Sequence, residues 1–180
     1  LLAPDTTLKF EQISEALWPE KNPESTRAHF HQACSKLRYA LEPELFAQDL
    51  PSRYLIVEGG RVCLQIPAGS RVDIHDFYAL CRRGEWESAL NIVQGDFLPE
   101  YPYAEWLFME RQRISPLIQQ ALFLNAQQCI QSGQFSAGLE AVRRLLALEP
   151  WHEQAVLLGM QACMALEDKT GARRFYKHLE

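Results

Sequence analysis

The sequence predicts a mainly α-helical chain in two parts: a partial winged helix-turn-helix with a β-hairpin wing, then a tetratricopeptide-like helical repeat domain. Three observations predict it. Two amphipathic helical stretches precede two β-rich runs that are joined by a pair of glycines. Every stretch after Val72 has helical periodicity. That second part also echoes itself at a spacing of 34 residues, the tetratricopeptide period. The parts are drawn as residues 1–69 and 70–180.

The opening Leu1-Leu2-Ala3-Pro4-Asp5 lacks the basic start and long apolar run of a signal peptide. It reads as the last turn of an interrupted helix, so the chain is expected to begin inside a domain. Leu8 to Trp18 reads as a short helix, with Leu8, Ile13, Ala16 and Leu17 on its apolar side. Pro19 ends it, and Pro19 to Pro23 is a polar turn. A longer helix follows from Glu24 to Leu41, started by Ser25 or Thr26 and closed by Pro43. Phe30, Cys34, Leu37 and Leu41 recur in steps of four, three and four, which predicts one buried face. Tyr54–Val57 and Val62–Ile66 then read as strands around Glu58-Gly59-Gly60-Arg61, because adjacent glycines accept the positive φ angles of a tight hairpin. Pro67 to Ser70 reads as a linker.

In the second part Leu124 and Leu158, Cys129 and Cys163, Gly138 and Ala172, and Leu145 and Leu179 all stand 34 apart. Small residues at such positions let paired helices approach, and each pair stacks on the next. Gly133-Gln134-Phe135 makes the turn inside one repeat and Pro150 ends its second helix. Gly84 to Leu90 echoes Gly133 to Leu139, which places a divergent repeat over Asp73 to Val93. These echoes are 49 apart, leaving an insertion of about one to two turns that holds Gly95 to Trp106.

The block Gly95-Asp96-Phe97-Leu98-Pro99 with Tyr103-Ala104-Glu105-Trp106, between Val72–Phe77 and the Arg111-Gln112-Arg113 helix, resembles the bacterial transcriptional activator domain. The resemblance covers about Val72 to Glu180. It implies a tetratricopeptide-like module of antibiotic-regulatory activators and large ATP-dependent regulators, in which an OmpR-type winged helix precedes it. Ser25-Thr26-Arg27 and Ser35-Lys36-Leu37-Arg38-Tyr39-Ala40-Leu41 are similar to that fold's recognition helix. Lys36 and Tyr39 stand where arginines are usual, Ala33 where His is frequent, and Arg61 where the wing usually has an aromatic. Against that fold, the sequence is expected to start after its opening strands and most of its first helix.

On a helical wheel the face opposite Phe30 and Leu37 holds His29, Gln32, Ser35, Lys36 and Tyr39, flanked by Arg27 and Arg38. Cations and Gln supply the donors that phosphates and base edges accept, and Arg61 at the hairpin tip can reach a minor-groove phosphate. These eight residues are the expected DNA-binding set. The bland alternative is a solvated helix face, since three cations are few for a phosphate clamp, and up to Ser70 seven Lys or Arg stand against nine Asp or Glu. The chain as a whole carries a net charge of -5, which argues against non-specific coating of nucleic acid.

No catalytic, metal or cofactor site is expected. His29 and His31 lie about 200° apart on a helix and cannot share a metal. His75, His152 and His178 lack partners at ligand spacing, and there is no phosphate loop, nucleophile elbow or Cys-His signature. Cys34, Cys63, Cys81, Cys129 and Cys163 sit among apolar residues and read as buried, reduced thiols. Trp86, Tyr101, Tyr103, Trp106 and Trp151 read as packing between helix pairs, and Asp96 and Glu105 as a turn residue and an exposed acid. The expected function is a non-enzymatic, cytoplasmic, DNA-binding transcriptional regulator, with double-stranded DNA as one partner and no membrane. Its other partner would be a protein: a second copy (a homodimer), a sensor domain or RNA polymerase. The alternative is a protein-interaction scaffold whose winged helix has lost DNA contact.

Overall fold

A computed structural model of the chain describes residues 6–177. The reading of Leu1 to Asp5 as a helical turn, and the roles given to His178 and Leu179, lie outside the described residues. The described chain is mainly helical, with one small antiparallel sheet ahead of a helical domain. It forms two compact units that meet between Val72 and Asp73.

The first described element of the first unit is a strand. β1 (Thr7–Lys9) pairs with β3 (Arg61–Leu64), which also pairs with β2 (Leu55–Glu58), giving the order β1-β3-β2. Leu8, expected in a helix, therefore lies in a strand opposite Val62, and α1 starts at Phe10 and runs to Leu17. Three residues are too few to show a period of two, so β1 exists because β3 offers it a free edge. The hairpin turn is as expected: Gly59 (φ +55°) and Gly60 (φ +73°) both occupy the left-handed region that a two-residue turn demands. Gly60 also accepts a hydrogen bond from the Phe10 amide at 2.9 Å, which fastens the start of α1 to that turn.

The long helix α2 spans Pro23–Leu41. Its cap is Asn22, whose Oδ1 accepts from the Ser25 amide at 2.8 Å, with Pro23 in the first position, where its missing N–H costs nothing. Ser25 and Thr26 are thus inside the helix, and the Thr26 hydroxyl donates to the Asn22 carbonyl at 2.9 Å. The predicted apolar stripe is buried only in part. Phe30 is buried edge-on against Phe10, with ring centroids 4.9 Å apart, but Leu37 and Leu41 are 41% and 42% exposed. Thr26, Phe30 and the half-buried Ala33 and Cys34 carry the packing instead. Pro43 does not simply close α2 but begins α3 (Pro43–Ala47). The corner is held by Glu42, a buried carboxylate that accepts from the Ser52 hydroxyl and from the Arg53 amide at 3.0 and 3.1 Å. The Ser52 hydroxyl, then the Arg53 and Tyr54 amides, hold its pKa below the ordinary Glu range despite burial.

The described residues of the second unit form six helices: α4 (Asp73–Arg83), α5 (Trp86–Ile92), α6 (Glu105–Gln131), α7 (Phe135–Leu148), α8 (Glu153–Ala165) and α9 (Lys169–Lys177). Each packs on the next, α5 and α6 included, although segment 93–104 separates those two in sequence. The core is made of small and medium side chains, Ala121, Leu122, Ala126, Ala141, Val142, Leu145 and Ala155, which lets helix axes come close. Gly138 shows the limit: a Cβ there would lie 2.7 Å from Ile130 Cγ1. A second cluster, Leu139, Ala162, Cys163 and Ala172, closes the C-terminal pair. The Tyr78 hydroxyl of α4 donates to Glu110 Oε1 of α6 at 2.9 Å, and burial with that carboxylate pushes the phenol up to about 12.

Three expectations are corrected here. The insertion exceeds one to two turns, comprising the irregular segment 93–104 and the extended N-terminal part of the 27-residue α6. All five cysteines are free, but only Cys129 and Cys163 are buried, and Cys34, Cys63 and Cys81 are half-buried. Of the aromatics read as packing, Trp86 does pack on the core, whereas Tyr103 (94%) and Trp151 (79%) are almost wholly exposed. Those two follow Pro102 and Pro150 in turns between helices.

Candidate nucleic-acid interface

The exposed surface of α2 begins where its buried strip ends. Gln32, Ser35, Lys36 and Tyr39 are exposed, in keeping with a face turned from Phe30, and Arg27 is exposed on its flank. Tyr39 is 62% exposed and leans edge-on against Phe46 of α3, with centroids 5.8 Å apart. Two members of the expected set are held differently. His29 is half-buried, its Nδ1–H donating to the Ser25 carbonyl at 2.7 Å while its ring faces Trp18. Arg38 is also half-buried and its Nε is enclosed without a hydrogen-bond partner among the described residues. His29 is therefore committed to its own helix, and Arg38 can offer only the outer end of its guanidinium.

Arg27 turns toward the sheet. With Glu11, Phe30 and Gly60 it lines a crevice of about 230 Å³ between α1, α2 and the hairpin. That joins the N-terminal half of α2 to the turn that carries Arg61. Arg61 begins β3 and is exposed; it stands opposite Glu58 in β2 and opposite Lys9 in β1. Lys9 and Arg61 thus bring two cations together at one edge of the turn, with Glu58 beside Arg61 offsetting part of their mutual repulsion. Sequence reading missed Lys9, and only the unforeseen pairing of β1 could have found it. Other groups have structural duties: His152 caps α8 through Nδ1, which accepts from the Ala155 amide at 3.2 Å. Among the described residues no His, Cys, Asp or Glu group is arranged to hold a metal ion.

In the second unit the organising side chain is Arg111. Its guanidinium donates to the carbonyls of Phe97, Leu98, Tyr101 and Pro102 at 3.0 to 3.2 Å, tying the inserted segment onto α6. The planar fork of arginine can serve four acceptors at once, and no other side chain can. Around this clamp Tyr101, Tyr103, Trp106, Phe108 and Met109 are all exposed, Tyr101 and Trp106 resting ring to ring at 6.5 Å. No described helix is long and apolar enough to cross a membrane.

Neither curated proteins nor solved structures gave a match. A family model does match, over residues 73–180, more than half of the chain and the whole of the second compact unit; its description is bacterial transcriptional activator domain. The chain therefore belongs to the bacterial transcriptional activator domain family.

Proposed function

We propose that the chain is a DNA-binding transcriptional regulator. Its first unit acts as a winged helix and its second as the surface that contacts a protein partner. The family carries the transcriptional activator role. Contact with DNA rests on one observation: the exposed polar face of α2 adjoins a hairpin at whose tip Lys9 lies opposite Arg61. In this reading Gln32 and Ser35 meet base edges, and Lys9, Arg27, Lys36 and Arg61 meet phosphates. His29 and Arg38 position the helix more than they touch DNA. Exposed aromatics around Tyr103 and at Trp151 suit contact with protein, whether a second copy in a homodimer, a sensor domain or RNA polymerase. The protein would act in the cytoplasm, without catalysis or cofactor.

The rival reading is a scaffold whose winged helix no longer touches DNA. The acidic balance before Ser70 and the half-buried Arg38 favour it. Fluorescence anisotropy of the full-length protein on duplex from its own upstream region, across a salt series, decides between them. Lys9→Ala, Lys36→Ala and Arg61→Ala should each lower the slope of log affinity against log salt by about 0.9. Gln32→Ala should reduce discrimination between sites by roughly 1–3 kcal/mol if it makes a bidentate base contact. Unchanged slopes in all three cation variants would leave the scaffold as the reading.

A further inference from the structure

Beyond the contacts with DNA and protein, we infer that the second unit carries a site for an amphiphilic organic anion, a molecule with an apolar body and one carboxylate- or sulfonate-like group. The site is an open groove of about 700 Å³ between the segment clamped by Arg111, the N-terminal half of α6 and the end of α7. That volume lies in the range of small-ligand sites, which are mostly apolar and carry a few placed polar groups. The walls fit the description, with Phe97 on the clamped segment, Ile114 and Ile118 on α6, and Leu148 on α7.

The charges lining it choose the ligand. Arg111 also lines the groove, but most of its N–H groups are spent on four carbonyls. Arg144 is different: it is exposed on the wall and makes no hydrogen bond or ion pair with any described residue. Its neighbour Arg143 is paired with Glu140 at 4.0 Å and does not line the groove. The carboxylate that faces the groove is Asp96, so the lining carries two guanidinium charges against one carboxylate. An apolar trough with a surplus positive charge and a free fork of donors suits an anionic head on an apolar body. The Arg111 clamp gives the site a fixed wall without consuming Arg144.

The probe for this chemistry is 1-anilinonaphthalene-8-sulfonate, titrated onto the full chain and followed by fluorescence. Wild type should bind it saturably. Arg144→Gln should weaken binding about tenfold, the loss of one charge-assisted contact. Asp96→Asn should tighten it, because the repelling carboxylate is gone. Ser115→Trp places a large ring in the groove from an exposed helix position and should abolish binding, while Arg143→Gln should leave it unchanged. Dodecanoate should displace the dye at about one tenth of the concentration that dodecanol requires. Positions 96, 115 and 144 are exposed, so circular dichroism should show native helix content in every variant. The inference is overturned if wild type shows no saturable binding. It is equally overturned if Arg144→Gln or Ser115→Trp binds as wild type does, since the dye would then sit on another apolar patch.

Discussion

Replacing Arg111 by Gln should loosen the segment 93–104 while leaving the helical core folded. The guanidinium spans four carbonyls, with contacts to Phe97 that are partly buried and contacts to Leu98, Tyr101 and Pro102 that face solvent. Hydrogen bonds from a charged donor contribute about 1.5–3 kcal/mol when sheltered and much less when wet, so the clamp as a whole is worth roughly 2–3 kcal/mol. The segment has few other ties: the Tyr101 amide to the Leu98 carbonyl at 3.1 Å and the Ala104 amide to the Tyr101 carbonyl at 3.2 Å. Leu98 itself sits at φ +49°, a conformation that a leucine keeps only when its surroundings insist. Losing 2–3 kcal/mol of local stability should speed hydrogen exchange at the Tyr101 and Ala104 amides on the order of 30- to 150-fold, with core amides of α7 unaffected. Arg111→Lys should behave nearly as Gln does, because one ammonium cannot reach four acceptors. If the lysine variant kept full protection, charge alone and not the fork would hold the segment, and the argument would fail.

Gly138→Ala should destabilise the second unit by about 1–2 kcal/mol, since overpacking against Ile130 outweighs the roughly 1 kcal/mol that alanine gains in a helix; thermal unfolding checks this. Tyr78 should be a late-titrating phenol. Its raised pKa, about 12, means that its contribution to stability is complete below the ordinary tyrosine value and is lost as pH rises toward 12, and ultraviolet titration of Tyr78→Phe should lack that phase. Glu42 has the opposite sign. Its lowered pKa stabilises the first unit above the ordinary Glu range and ceases to do so as pH falls through the depressed value, so Glu42→Gln should flatten the acid limb of unfolding followed by Trp18 fluorescence.

What could be read in the sequence was whatever a local rule imposes. Two adjacent glycines between β-rich runs leave the chain one cheap way to turn, and the hairpin followed. A 34-residue echo demands stacked helix pairs, and Gly138 packs as that demand requires. What escaped depended on partners far along the chain. β1 is three residues that become a strand only because β3 is there to pair with them. The half-burial of Arg38, and the exposure of Leu37 and Leu41, follow from how far the core extends under α2, which the stripe itself does not encode. Asn22 and Pro23 are an exception, since an Asn-Pro start is a local signal, and it outranks Ser25 and Thr26 as the start of α2.

The same division bears on where function resides in the second unit. A repeat explains its own residues: Ala126, Ala141, Ala155, Ala162 and Ala172 are small because neighbouring helices need the room. It does not explain segment 93–104, which no packing of one helix pair on the next calls for. That segment has its own fastening in Arg111, buries few of its own aromatics, and walls a groove whose opposite side bears the unengaged Arg144. A clamp of four carbonyl contacts orders backbone that would otherwise gain more entropy free than it gains contacts bound. The surface so fixed is what the proposed ligand or a protein partner would read. The clamped segment and its groove, rather than the repeat's packed faces, are therefore where partner or ligand specificity should be sought.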